Sequence, residues 1–76
     1  MTNLEFRTLR SKARLTQARV ALRADVDRTR VCMWENGDLL LRAEEVKSLE
    51  SALSDLISER VEQLTKLATG SHQVVM

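Results

Sequence analysis

Residues 15–37 read LTQARVALRADVDRTRVCMWENG, and this stretch decides the fold. Thr16 is a side-chain acceptor placed just ahead of Gln17 to Ala24, in which Val20, Ala21 and Ala24 repeat at helical spacing. Thr16 is therefore read as the cap of a helix over about 16–24. Asp25 falls where the chain must turn, and aspartate tolerates a left-handed backbone better than most residues. Asp27 then caps another helix over about 28–35, in which Val31 and Trp34, three apart, turn inward together. Asn36-Gly37 ends it, with Gly37 suited to the left-handed position just beyond a helix. Two short helices joined by so short a turn can hold the second one proud of the surface.

On the N-terminal side, residues 4–13 place Leu4, Phe6, Leu9 and Ala13 near one helical face, with Arg7, Arg10 and Lys12 outside it. On the C-terminal side, Leu39-Leu40-Leu41 puts three leucines where a loop is expected to be polar. They either plug the core or form an exposed apolar patch. From Ala43 to Ala68 there is no Gly or Pro, and Val46, Leu49, Leu53, Ile57, Val61, Leu64 and Ala68 recur at intervals of three and four. Ser54-Asp55 has cap chemistry, which predicts a division into helices over about 43–53 and 55–68. The second piece carries Leu56, Ile57, Val61, Leu64 and Leu67, more apolar surface than a small five-helix core uses. A second subunit is the simplest place to bury it, so these five residues are read as a dimer interface. Gly70 to Met76 is expected to be a flexible tail, leaving 1–69 as a single domain.

Composition supports an all-α reading. The 76 residues include no proline or tyrosine, one Phe and one Trp, while Ala, Leu, Arg and Glu are plentiful. Hydrophobic residues make up 43% and charged residues 30%, a globular balance, but a chain this short has a thin core. Cys32 stands alone, which excludes an intramolecular disulfide and offers no metal-ligand spacing. With no signal-peptide pattern and no apolar run near 18 residues, no membrane span and a cytoplasmic location are expected. No acid–base pair or nucleophile constellation stands out, so the chain is not expected to be an enzyme or to need a cofactor. His72 falls in the tail and is given no role.

The net charge of +1 conceals an uneven distribution. Residues 1–37 hold eight Lys/Arg against four Asp/Glu, and residues 38–76 hold four against seven. A basic N-terminal half beside an acidic C-terminal half suits one face turned toward phosphate. Together with a helix held proud of the surface, it points to the major groove of double-stranded DNA.

The chain also resembles the Cro/repressor-type (Xre class) helix-turn-helix family. Leu15-Thr16-Gln17 opens the second helix, Ala21 lies near its middle, Val26 follows the turn, and Glu35-Asn36-Gly37 closes the next helix, without a gap. The resemblance covers residues 4 to about 56, and Asp27-Arg28-Thr29 is also similar to the opening of the recognition helix in restriction–modification controller proteins. It implies a compact fold of four or five helices and a homodimeric transcriptional regulator, a repressor of the phage Cro-like or controller type, acting on a palindromic operator. The family's base-reading positions fall on Arg28, Thr29, Cys32 and Met33. Its phosphate contacts fall on Thr16, Gln17, Asp27, Arg30 and, in the following loop, Arg42. A guanidinium at Arg28 can bond guanine O6 and N7 together, whereas Cys32 and Met33 offer apolar contact of the kind a thymine methyl accepts. Three positions depart from the pattern: Asp25 replaces the turn glycine, the loop Asp38 to Arg42 is not basic, and Cys32 and Met33 are apolar where polar readers are common. Trp34 is expected in the core, and Glu35 as a hydrogen-bonding partner, for instance of Arg10.

A second reading belongs to a different class. The acidic, leucine-rich C-terminal half could serve as a protein-interaction module, such as an antitoxin that binds a protein partner.

Overall fold

Thr2 starts the first helix. Its hydroxyl accepts from Glu5 N–H and the Glu5 carboxylate accepts from Thr2 N–H, both at 3.1 Å, so two otherwise unpaired amides are satisfied reciprocally. In the computed structural model the backbone is described for residues 1–75 and the side chains for residues 1–66. The four helices are α1 (Asn3–Lys12), α2 (Gln17–Ala24), α3 (Arg28–Glu35) and α4 (Ala43–Val75), with no strand among the described residues. The caps of α2 and α3 are those the sequence announces. Thr16 Oγ1 accepts from Arg19 N–H at 3.1 Å, and Asp27 Oδ1 accepts from Thr29 N–H at 2.8 Å.

The first three helices end alike. Leu15 N–H donates to Arg10 C=O, Val26 N–H to Ala21 C=O and Asp38 N–H to Met33 C=O, at 3.0, 3.0 and 2.8 Å. Each is the long-span hydrogen bond that closes a helix around a left-handed residue. Those residues are Arg14, Asp25 and Gly37, with φ of 57°, 58° and 84°. Asp25 and Gly37 are legible as turn formers. Arg14 is not, and it adopts a backbone that costs an ordinary side chain about 1–2 kcal/mol. Part of the compensation comes from α4: Arg60 Nη1 donates to Ala13 C=O at 2.9 Å and Arg14 C=O at 3.4 Å, placing a cation on the negative end of α1.

The core contains Phe6, Leu15, Val20, Ala21, Val31, Trp34, Leu49, Ala52, Leu53 and Leu56, with Val26, Leu41, Val46 and Ile57 partly buried against it. The Phe6 and Trp34 rings lie 5.1 Å apart between centroids and tilted by 59°, which joins α1 to α3. On α1 the inward face is Phe6 with Asn3, Arg10 and Ala13, while Leu4 and Leu9 are exposed, contrary to the expected apolar stripe. The inward polar groups are used: Asn3 Nδ2 donates to Trp34 C=O at 3.1 Å, and Arg10 reaches α3.

The division expected at Ser54-Asp55 does not occur; α4 is one helix. Both residues point to solvent, while Leu49, Ala52, Leu53 and Leu56 are buried on one side across that point. A fresh cap would have to break the hydrogen-bond ladder between Leu53 and Leu56 and swing one of them off the core. The helix also continues to Val75, through most of the segment read as a tail from Gly70, and Met76 lies outside the described residues. In the loop before α4, Leu39 is half-buried and Leu41 packs on the core, but Leu40 is 93% exposed. The triplet therefore divides between the two alternatives.

Candidate nucleic-acid interface

The outward face of α3 follows from its inward one. Val31, Trp34 and Glu35 are buried, which turns Arg28, Thr29 and Met33 to solvent and leaves Cys32 half-exposed beside them. These four lie on one arc of the helix, as spacings of one, four and five residues require. Arg28 is in the first turn and, among the described residues, makes no ion pair or side-chain hydrogen bond. Cys32 Sγ accepts a weak contact from Asn36 Nδ2 at 3.7 Å.

A buried charge network holds this helix in place. Glu35 is 1% exposed, and its two carboxylate oxygens accept from Arg10 Nε and Nη2 at 2.8 Å each. Gln17 Nε2 adds a third donor at 3.1 Å, and Arg10 Nη1 donates to Leu15 C=O at 2.7 Å. One carboxylate on α3 is thereby tied to α1, to the turn after it, and to the start of α2. The described side chains contain no buried polar atom without a partner. A charge taken out of water survives only when compensated in this way.

Several expected phosphate contacts are placed differently. The Gln17 side chain turns inward to Glu35 rather than outward, leaving mainly its helix-start backbone N–H for an anion. Asp27 serves as the cap of α3, and its carboxylate repels a phosphate rather than holding one. Arg30 is neutralised: its Nε and Nη2 donate to Glu45 on α4 at 3.1 and 2.9 Å. Glu45 also accepts from Arg42 N–H at 3.2 Å and lies 3.5 Å from Arg42 Nε. These hydrogen bonds, the Arg30 guanidinium first and the Arg42 backbone second, hold the Glu45 carboxyl below the ordinary glutamate range. Arg42 itself remains largely exposed at the loop end, and Thr16 is exposed with its hydroxyl engaged as the α2 cap.

Of the residues read as a dimer interface, Leu56 is buried in the core and is removed from it, because its side chain points to the same side as Leu49 and Leu53. Ile57 is half-buried, and Val61 and Leu64 are 56% and 61% exposed, one helical stripe on α4. A shallow groove continues this stripe onto the end of α1, lined by Lys12, Ala13 and Arg14 with Ile57, Arg60, Val61 and Leu64. The Leu67 side chain lies outside the described residues.

The Arg10–Glu35 pairing was legible from the sequence. The engagement of Gln17 by Glu35 and of Arg30 by Glu45 was not, since no periodicity links partners 18 and 15 residues apart on different helices. Among the described residues no helix is long and apolar enough to cross a membrane, and no cluster of three His, Cys, Asp or Glu forms a metal-binding group. Comparison with known proteins yields no matching family model, no similar curated protein and no similar solved structure.

Proposed function

We propose that this chain is a sequence-specific double-stranded DNA-binding regulator of the Cro/repressor helix-turn-helix type, non-enzymatic and cytoplasmic. The observation that carries the reading is the exposed face of α3. Arg28, unpaired among the described residues, stands in its first turn beside Thr29, Cys32 and Met33, on a helix locked from behind by the Arg10–Glu35–Gln17 network. A cation on a rigidly held, outward helix is what readout of a guanine edge in the major groove requires. Arg42 and the backbone amides at the start of α2 supply phosphate contacts, while Arg30 joins them only by leaving Glu45.

A homodimer completes the reading, with Ile57, Val61 and Leu64 of each copy in contact and the two α3 helices in adjacent half-sites. Repression follows from occupying the operator against polymerase. The test is selection from a random duplex pool with the purified protein. A palindrome with half-site centres roughly 34 Å apart is the expected result. A folded protein that enriches no sequence overturns the proposal.

The exposure of Leu40, at 93%, favours a second reading in which a protein partner covers the loop before α4. Such a partner, an antitoxin's target for example, would be retained at high salt, where phosphate contacts are lost.

A further inference from the structure

Beyond its first turn, the exposed face of α3 carries no free hydrogen-bonding side chain suited to a base edge. Cys32 and Met33 occupy the next turn, and the one polar amide that follows, Asn36 Nδ2, is turned back onto Cys32 Sγ at 3.7 Å. Met33 is 39% exposed and lies outside the core cluster, whereas Val31 and Trp34 are buried in it. The face is thus divided into a charged half, Arg28 with Thr29, and a sulfur-lined apolar half. In the major groove only one base feature is apolar and projects from the edge, the C5-methyl group of a pyrimidine.

We infer that Cys32 and Met33 read a C5-methylated pyrimidine lying next to the guanine contacted by Arg28. This rests on the DNA-binding reading above and adds to it the chemistry of the neighbouring base. Thymine carries such a methyl group, and so does 5-methylcytosine. Met33 is unbranched and polarisable, so it can follow the methyl group wherever the duplex presents it. Cys32 is half-buried and its sulfur, a weak hydrogen-bonding group, already accepts from Asn36 Nδ2 at 3.7 Å. Unmethylated cytosine offers this half no methyl group to bury, so the same surface favours 5-methylcytosine over cytosine.

The test begins with the duplex selected by the wild-type protein. Each thymine in the half-site is replaced singly by uracil, which differs only in the missing methyl group. At the sensitive position, cytosine and 5-methylcytosine are then compared opposite guanine. The expected result is a loss of about four-fold in affinity at one thymine, the factor that corresponds to about 0.8 kcal/mol for one buried carbon. Met33→Ala should bind the thymine and uracil duplexes equally while keeping its preference for the guanine. Because Met33 is not part of the core cluster, the variant's helical circular dichroism should be unchanged. A gain from cytosine to 5-methylcytosine shows that either source of the methyl group is read; equal binding of those two, with thymine still above uracil, assigns the contact to thymine. A selected duplex that binds equally with uracil at every position overturns the inference and leaves the DNA-binding reading intact. If no duplex is enriched, both fall together, and a protein partner for this face takes their place.

Discussion

Arg10 and Glu35, on α1 and α3, form a two-pronged ion pair with both nitrogen–oxygen distances at 2.8 Å and the carboxylate almost wholly buried. The pair lies on the inward side of α3, opposite the face proposed to meet DNA. Its geometry makes the orientation of α3 depend on charge as well as on the Phe6–Trp34 contact. Removing either partner leaves the other desolvated and alone. Glu35→Ala should therefore lower stability by about 3–5 kcal/mol, a large share of what a domain of this size holds. Arg10→Ala should cost a similar amount, and the double variant little more than either, since the second change removes a stranded charge. Urea unfolding followed by circular dichroism measures all three. Additive losses would sink the claim that the two residues act as a unit.

Two of the three left-handed helix ends are occupied by residues with a β-carbon. Arg14→Gly and Asp25→Gly should each stabilise the fold by about 0.5–1 kcal/mol, the relief of left-handed strain less the entropy glycine adds to the unfolded chain. Gly37→Ala, with φ of 84°, should do the reverse, although its β-carbon would meet nothing closer than Asn3 Nδ2 at 4.0 Å. Thermal unfolding of the three variants gives the signs.

Glu45 joins α3, the loop and α4. Its folded pKa is depressed by Arg30 and by the Arg42 N–H, so its contribution is complete above the ordinary glutamate value, about 4.3, and is lost as pH falls through the lower folded value. Glu5, depressed by the Thr2 N–H and hydroxyl, acts in the same direction. Stability should decline in that acid window, and Glu45→Gln should flatten the decline. In the same variant Arg30 is released, so DNA binding should gain roughly one phosphate contact and a salt slope steeper by about 0.9. An unchanged slope between roughly 50 and 200 mM salt would show that Arg30 stays away from phosphate even when freed.

Arg28 makes no side-chain hydrogen bond or ion pair among the described residues. Arg28→Ala should leave the unfolding midpoint unchanged and weaken the selected duplex by about 1–3 kcal/mol relative to one with the guanine replaced. Titration of both duplexes with wild-type and variant protein settles it. Equal losses on both would assign Arg28 to phosphate instead.

The stripe on α4 separates folding from assembly. Val61→Asp and Leu64→Asp, at exposed positions, should yield folded monomers by sedimentation, whereas Leu56→Asp, in the buried face of the same helix, should fail to fold. Dimers that persist in both exposed-site variants would move the subunit contact elsewhere.

The sequence by itself determined what is local. The caps at Thr16 and Asp27, the turn at Asp25, the stop at Gly37 and the inward pair Val31 and Trp34 each rest on hydrogen bonds or helical spacing within five residues, and all are found as read. The outward residues Arg28, Thr29 and Met33, with Cys32 half-buried beside them, fall on the positions that the family resemblance implied. Only the tertiary structure decided the rest. Ser54-Asp55 has cap chemistry, but burial of Leu53 and Leu56 on one face outweighs it and keeps α4 whole. Leu56 reads like its neighbours Ile57 and Val61, yet the packing of α4 on the other helices puts it inside and leaves Val61 outside. Gln17 and Arg30 read as open donors until packing brings Glu35 and Glu45 within 3.1 Å of them. Charges pair with whatever the packing of helices places beside them, and that juxtaposition is not written in the spacing of any one helix.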